Sequence, residues 1–135
     1  MAAALGYATV GSNRLKEAKG FYDALFTSEG IAPLFDHPSG GRIYGKDGAL
    51  VFGVLGPFNK SPATAGNGTM ISFRFDTRRE AAAFHAKALA LGATDEGAPG
   101  VRGGPYFMAY FRDMDGNKLC AFCEKMEPDQ AAPIR

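Results

Sequence analysis

The chain has 135 residues, a length typical of one domain that buries roughly two-thirds of the surface its unfolded form exposes. Its 15 basic and 14 acidic residues give a net charge of +1, without the one-signed field that nucleic-acid or membrane-surface binding needs. We therefore expect neither a nucleic acid nor a membrane among its partners.

The sequence also predicts a cytoplasmic location. The N-terminal segment MAAALGYATV lacks the basic flank and long apolar run of a signal peptide, and no run approaches the length of a membrane span. Cys120 and Cys123 lie three residues apart in a predicted strand, where odd spacing points side chains to opposite faces. We therefore expect them neither to bridge each other nor to share a metal. Two thiols without a disulfide framework fit a reducing compartment.

One stretch of the chain occurs twice. A shift of about 63 positions lays residues 13–21 over residues 76–84, and the strand-like residues 7–10 over residues 70–73, without a gap. Capping residues, a Glu-Ala pair, and Phe21 with Phe84 then coincide. The repeat predicts two copies of one strand-helix unit.

The first copy predicts one helix and four strands. Ser12 or Asn13 is expected to cap a helix that ends at Gly30. The Asp47-Gly48 pair indicates a hairpin turn. The predicted strands are 5–11, 31–35, 42–45 and 49–55.

The second copy repeats this order. Thr77 and Glu80 predict a capping box at a helix that turns Ala81, Phe84, Ala88 and Leu91 inward and ends at Gly92. Residues 93–104 are predicted as loop and weak strand, and a hairpin turns at residues 113–117. The other predicted strands are 69–75, 106–112 and 118–125.

Each half is thus β-α-β-β-β, with a helix on one sheet face and the other face open. We predict an α+β fold, in which two tandem units form a curved mixed sheet around a cleft and the helices lie on the convex face. The single domain, 1–135, divides into a first unit at about 5–56, a linker at about 57–67, a second unit at about 68–125 and a flexible tail at 126–135. A ligand is expected in the cleft.

Three segments closely resemble the glyoxalase/bleomycin-resistance/dioxygenase family, the vicinal oxygen chelate superfamily. They are Asn13 with FYDAL at 21–25, Gly92 with EGAPG at 96–100, and YFRDMDGNKL at 110–119, the most specific of the three. The resemblance runs from about Gly6 to Cys123. It implies a concave sheet that binds a small molecule, one divalent metal ion in the family's enzymes, and a homodimer.

The metal ligands that the resemblance implies are missing. Family enzymes take a His, Glu or Gln from each of four strands. The matching positions here are Tyr7, Gly53, Met70 and Cys120. We therefore predict no metal ligand and no cofactor, and assign no catalytic residue.

The remaining titratable residues do not fill this gap. His37 lies in a predicted turn and His85 on the second helix, so each is interpreted as a surface or partly buried imidazole. Asp95 and Glu96 lie in a predicted loop, where nothing in the sequence directs them to the cleft.

Strand alternation predicts the side chains that line the cleft. An anionic ligand group is expected at Arg112, Arg74 or Arg42. Val51, Leu55 and Lys118 lie on the same predicted face. As an alternative to ligand binding, the aromatic and sulfur-containing side chains only fill the cleft or pack across a dimer interface. The candidate ligand-binding residues are Tyr7, Thr9, Met70, Ser72, Tyr106, Met108, Tyr110, Arg112, Cys120 and Phe122.

Three functional hypotheses follow. The first is a metal-free protein of this family that binds a small, partly apolar molecule. The second is a lyase, isomerase or dioxygenase of the lactoylglutathione-lyase type, with an atypical site built on Tyr7, Tyr110 or Cys120. The third is an interaction module whose cleft is closed by a homodimer partner, which is compatible with the first.

Overall fold

The structure, a computed structural model, describes residues 2–125, so the predicted tail at 126–135 lies outside the described residues. The chain divides into two compact units between Ala65 and Gly66. No helix in the described part of the chain is both long and apolar enough to cross a membrane. The elements in chain order are β1 (Ala8–Gly11), α1 (Leu15–Phe26), β2 (Ala32–Asp36), β3 (Arg42–Lys46), β4 (Ala49–Leu55), β5 (Ile71–Arg74), α2 (Arg78–Ala90), β6 (Thr94–Val101), β7 (Phe107–Arg112) and β8 (Lys118–Cys123).

The predicted α+β fold of two tandem β-α-β-β-β units is confirmed. Each unit has one four-stranded mixed sheet, ordered β1-β4-β3-β2 in the first and β5-β8-β7-β6 in the second. β1 runs parallel to β4, and β5 runs parallel to β8, whereas the other neighbouring strands are antiparallel. The repeat in the sequence is therefore a repeat of topology.

The first unit has an aromatic core between α1 and its sheet. The rings of Tyr22 and Phe52 lie 4.8 Å apart, and those of Phe26 and Tyr44 lie 5.2 Å apart. All four residues are fully buried. The predicted β3–β4 turn is present, with positive φ at Asp47 and Gly48, as a type I′ hairpin turn requires.

The start of α1 differs from its prediction. Its N-cap is Arg14, whose side chain makes no capping hydrogen bond. The amide of Asn13 instead pairs with the backbone of Ala63, donating through Nδ2 to the carbonyl at 2.9 Å and accepting from the N–H at 2.6 Å. Ser12 Oγ accepts from the N–H of Arg14. At Asn13, contacts with a distant segment thus outcompete the local cap that the sequence favours.

In the second unit α2 begins as predicted. Thr77 and Glu80 form a reciprocal capping box, and the helix is followed by Gly92 with a φ of 112°. The inward set differs from its prediction, because Leu91 is only partly buried whereas Arg78 and His85 are buried as well. The buried residues of α2 are Arg78, Ala81, Phe84, His85 and Ala88.

The segment predicted as loop and weak strand is an eight-residue edge strand, β6. Its pairing with β7 shifts register between Asp95 and Gly97 and again between Gly97 and Gly100. An edge strand tolerates such irregularities and Pro99, because its outer backbone groups need no strand partner. The Gly and Pro residues that made the segment look like a loop thus mark a bulged edge.

Candidate ligand-binding face

Each sheet is covered by its helix on one face, and we call the opposite face the helix-free face. In the second sheet α2 packs on β7 and β8. The residues of these strands that face α2 are buried, and they alternate along each strand with residues of the helix-free face. The helix-facing residues include Ala109, Phe111, Leu119 and Ala121. Register places Ser72, Cys120 and Tyr110 side by side, and pairs Met108 with Phe122. Six of the predicted site residues thus share this helix-free face: Ser72, Met108, Tyr110, Arg112, Cys120 and Phe122.

The other four predicted residues lie elsewhere. Tyr106 precedes β7, and its ring stacks on that of Phe122 at a centroid distance of 5.9 Å. Met70 precedes β5 and is exposed. Tyr7 and Thr9 belong to the first unit, where Tyr7 precedes β1 and Thr9 pairs with a β4 residue on the helix-free face of that sheet. The role of all ten residues in ligand binding stays a prediction.

Tyr110 is the central side chain of the helix-free face in the second sheet. Its hydroxyl donates to Met108 Sδ at 2.9 Å. Its strand partner on β6 is Gly97, where an added Cβ would lie 2.7 Å from the ring carbon Cδ2. The missing side chain at Gly97 therefore lets the phenol ring lie against the edge strand.

The arginines predicted to bind an anionic group each face a carboxylate. Arg112 Nε lies 2.8 Å from Glu96 Oε1, and Arg74 Nε lies 3.2 Å from Glu124 Oε1. Arg42 is paired with two aspartates of its own unit. Because their charges are already compensated, the structure does not favour any of the three as the anion site.

Two other cations stand beside Tyr110. The guanidinium carbon of Arg102 lies 5.0 Å from the ring centroid, and Lys118 Nζ lies 4.9 Å from it. Such cation–π contacts orient both charges on the ring. Strand alternation predicts that Lys118 shares the face of Cys120. Arg102 was not predicted from the sequence, because β6, which immediately precedes it, was predicted as loop and weak strand.

Cys120 is a buried thiol on the helix-free face. It is fully buried, and this burial raises its pKa, so the sulfur stays protonated at neutral pH. Cys123 pairs with Phe107 on the helix side of the sheet. Both cysteines are free, as their spacing predicted. A nucleophilic role for Cys120 is disfavoured because only the thiolate attacks.

The four positions at which the family carries metal ligands do not fit a divalent metal. Gly53 has no donor, and Ile43 Cδ1 and Thr9 Cγ2 lie 2.7 and 3.3 Å from where its Cβ would be. Met70 offers a thioether and Cys120 a protonated thiol. Within residues 2–125, no three His, Cys, Asp or Glu side chains converge on one point.

Both histidines have structural partners. His85 is buried, and its Nε2 lies 3.1 Å from Asp95 Oδ1 and 3.1 Å from the Tyr110 carbonyl. Because both are acceptors, Nε2 carries the proton and donates. The Gly97 N–H and then the His85 imidazole lower the pKa of Asp95. His37 Nδ1 accepts from the N–H of Ser39 in a turn.

The fold has clear relatives among solved structures. The chain is 38% identical to a glyoxalase/bleomycin resistance protein from Albidiferax ferrireducens, with a TM-score of 0.81 over 91% of this chain and 100% of that one. A glyoxalase-related enzyme from Fulvimarina pelagi has 17% identity and a TM-score of 0.73, over 98% of this chain and 99% of that one.

A third relative is the fosfomycin resistance protein FosX from Listeria monocytogenes, at 16% identity and a TM-score of 0.66 over 94% of this chain and 95% of that one. The two more distant likenesses concern the fold alone. Neither a protein-family model nor a curated protein matches the chain.

Proposed function

The chain belongs to the glyoxalase/bleomycin resistance/dioxygenase family, and we propose that it binds a small, partly apolar molecule on the helix-free face of its second sheet without a divalent metal. The observation that carries the proposal is a set of partly exposed aromatic and thioether side chains: Met108, Tyr110 and Phe122 on this face, and Tyr106, whose ring stacks on that of Phe122. Stacked rings and a polarizable sulfur suit a flat ligand with an apolar body.

The metal-free part of the proposal rests on the donors present. Hard and borderline divalent metals take imidazole, carboxylate or thiolate ligands. At the two family positions, the second unit offers the neutral thioether of Met70 and the buried thiol of Cys120, whose pKa is raised. These groups support binding of an apolar molecule better than they support binding of a metal ion.

The alternative is a divalent-metal-dependent lyase, isomerase or dioxygenase of the lactoylglutathione-lyase type with an atypical site. Such an enzyme would use Tyr7, Tyr110 or Cys120. Burial and the raised pKa of Cys120 count against it as a nucleophile. No observed contact favours this alternative, and no catalytic residue is assigned.

Metal analysis separates the two functions. Protein purified without chelator is analysed for metals, and thermal melts are recorded with and without Ni, Zn, Mn and Fe ions. We expect no stoichiometric metal and no rise in melting temperature. One metal per chain, or a melting temperature that rises on metal addition, would reinstate the enzyme.

Binding itself is tested with phenylnaphthylamine, a neutral aromatic probe whose fluorescence rises in an apolar site. We expect saturable binding that weakens about tenfold in Phe122→Ala, because loss of this ring removes an aromatic contact. The matched control is Phe58→Ala, which removes the same side chain from a fully exposed position. Equal effects of the two changes, or no saturable binding, would contradict the proposal.

We further propose that the chain forms homodimers and works in the cytoplasm. Support for a dimer comes from β2, an edge strand that exposes Leu34 and Phe35. The two free cysteines support a reducing compartment. Sedimentation equilibrium of the wild type and of Phe35→Lys tests the dimer, and a monomeric wild type at micromolar concentration would rule it out.

A further inference from the structure

We infer that the molecule bound on this face is an organic anion, whose charged group lies beside Arg102 and Lys118 at the Tyr110 ring; this inference rests on the proposed function. The first support is the distribution of charge. Of the cations on this face, Arg112 and Arg74 are paired with carboxylates. Arg102 and Lys118 form no ion pair within residues 2–125.

The second support is the set of donors that Arg102 keeps. Its Nη1 donates to the carbonyls of Gly100 and Met108, and its Nη2 donates to the carbonyl of Ala98 at 2.7 Å. A guanidinium has five N–H donors in a rigid fork. The backbone therefore fixes the orientation of Arg102 and leaves the Nε–H and one Nη2–H for a ligand.

The third support is Lys118. Its ammonium lies over the Tyr110 ring and makes no hydrogen bond to any residue in the described range. All three of its donors are therefore left for water or a ligand. It is only partly exposed, so an anion there would be less screened than one at a fully exposed lysine.

The spacing of the face sets the shape of the ligand. Met108 and Tyr110 are two residues apart on β7, which corresponds to about 7 Å along the strand. The apolar pair of Met108 and Phe122 therefore lies next to the cationic position. A carboxylate, sulfonate or phosphonate on a one- or two-ring aromatic body, or on an alkyl body of that length, would contact both.

Two probes with the same aromatic frame test the inference. Anilinonaphthalenesulfonate carries a sulfonate, and phenylnaphthylamine carries no charge. At low salt we expect the anion to bind at least tenfold more tightly, and its advantage to shrink as salt screens the two cations. If the two probes bind equally, the inference is wrong while the proposed function stands. If neither binds, the proposed function itself fails.

Variants then locate the anion. Lys118→Met should lower the affinity for the sulfonate about five- to tenfold and leave phenylnaphthylamine unchanged, and Lys118→Arg should restore most of the loss. Lys16→Met removes the same charge from an exposed position on α1 and is the matched control. Equal losses in Lys118→Met and Lys16→Met would place the anion elsewhere.

Arg102→Met should act in the same direction as Lys118→Met. Because Arg102 also bonds three backbone carbonyls, circular dichroism must first show that this variant is folded. An unfolded Arg102→Met leaves Lys118→Met and its control to decide.

Discussion

The two units share one topology but differ on their helix-free faces. The same rung of the sheet reads Thr9, Gly53, Ile43 in the first unit and Ser72, Cys120, Tyr110 in the second. The neighbouring rung faces the helix and is buried in both units. It pairs Tyr44 with Phe52 in the first unit and Phe111 with Leu119 in the second. Packing under a helix restricts residue choice, whereas the opposite face has no such packing requirement, and in the second unit it carries an aromatic ring with two cations.

Each unit also has a glycine whose missing side chain is replaced by a neighbour. Ile43 fills the space at Gly53, and the Tyr110 ring fills the space at Gly97. The two glycines differ in the side chain that would have to move if a Cβ were added. Ile43 presents the end of a flexible chain, whereas Tyr110 presents a planar ring that also contacts Arg102 and Lys118.

On their helix sides the units bury different polar groups. In the first, the fully buried Tyr44 donates to Asp23 Oδ1 at 2.7 Å, and burial with the Asp23 hydrogen bond raises the pKa of Tyr44. The phenol therefore stays protonated and remains a donor. In the second, the buried donor is His85, which bonds Asp95.

The largest effect is expected from removing the helix-side aromatic ring of each unit. Tyr44 and Phe111 occupy the same rung position, and both are fully buried. Tyr44→Ala and Phe111→Ala should each lower the free energy of unfolding by about 3–5 kcal/mol, through lost burial and the cavity left behind. Urea unfolding measures both, and a loss below about 1 kcal/mol in either would contradict the packing.

Tyr44→Phe is the matched control for that pair, because it keeps the ring and removes only the hydroxyl. We expect it to cost about 1.5–3 kcal/mol, the range for a hydrogen bond to a charged group. A cost equal to that of Tyr44→Ala would show that the hydroxyl, and not the ring, dominates.

The two glycines should respond unequally to an added methyl group. In Gly97→Ala the new Cβ meets the Tyr110 ring at 2.7 Å and Arg102 Nη2 at 3.3 Å. We expect a loss of about 1–3 kcal/mol, as for overpacking. Gly53→Ala meets the tip of Ile43 at 2.7 Å and Thr9 Cγ2 at 3.3 Å, both terminal methyl groups, and should cost less. Thermal melts compare the two, and a reversed order would mean that Tyr110 moves more easily than Ile43.

The pKa of Asp36 in the first unit and that of Asp95 in the second are both lowered, so the two units can be compared by pH. The Arg42 hydrogen bond lowers the pKa of Asp36, and the Gly97 N–H and the His85 imidazole lower that of Asp95. A lowered folded-state pKa adds stability above the unfolded-state value, about 4, which is lost as pH falls through the folded-state value.

Asp36→Asn and Asp95→Asn should therefore melt lower than the wild type at pH 7. This difference should shrink as pH falls from 4 towards 2, where the wild-type carboxylates also become protonated. Melting temperatures across this range test the sign. A gap that widens in acid would contradict the assignment.

The smallest effect is expected in thiol labelling of the two cysteines, which lie only in the second unit. Both are buried, and the pKa of Cys120 is raised, so a thiol reagent at neutral pH should label neither in the native protein. Both should react in urea. Rapid native labelling of a Cys123→Ser variant would show that Cys120 becomes accessible and would reopen its role as a nucleophile.

The sequence by itself determined the parts that depend on local chemistry and periodicity. Alternating side chains assigned the two faces of β7 and β8, Thr77 and Glu80 set the start of α2, and Asp47-Gly48 set the hairpin turn. These signals work because capping, turn formation and strand alternation involve residues within a few positions of each other.

Only the tertiary structure decided which groups meet across strands. It paired Asn13 with Ala63, made a bulged edge strand of β6, and placed Glu96 against Arg112. It also brought Arg102 from beyond β6 to the Tyr110 ring, which Lys118 reaches from β8. Such contacts depend on register between strands distant in sequence, and no local pattern specifies which cation already has its carboxylate.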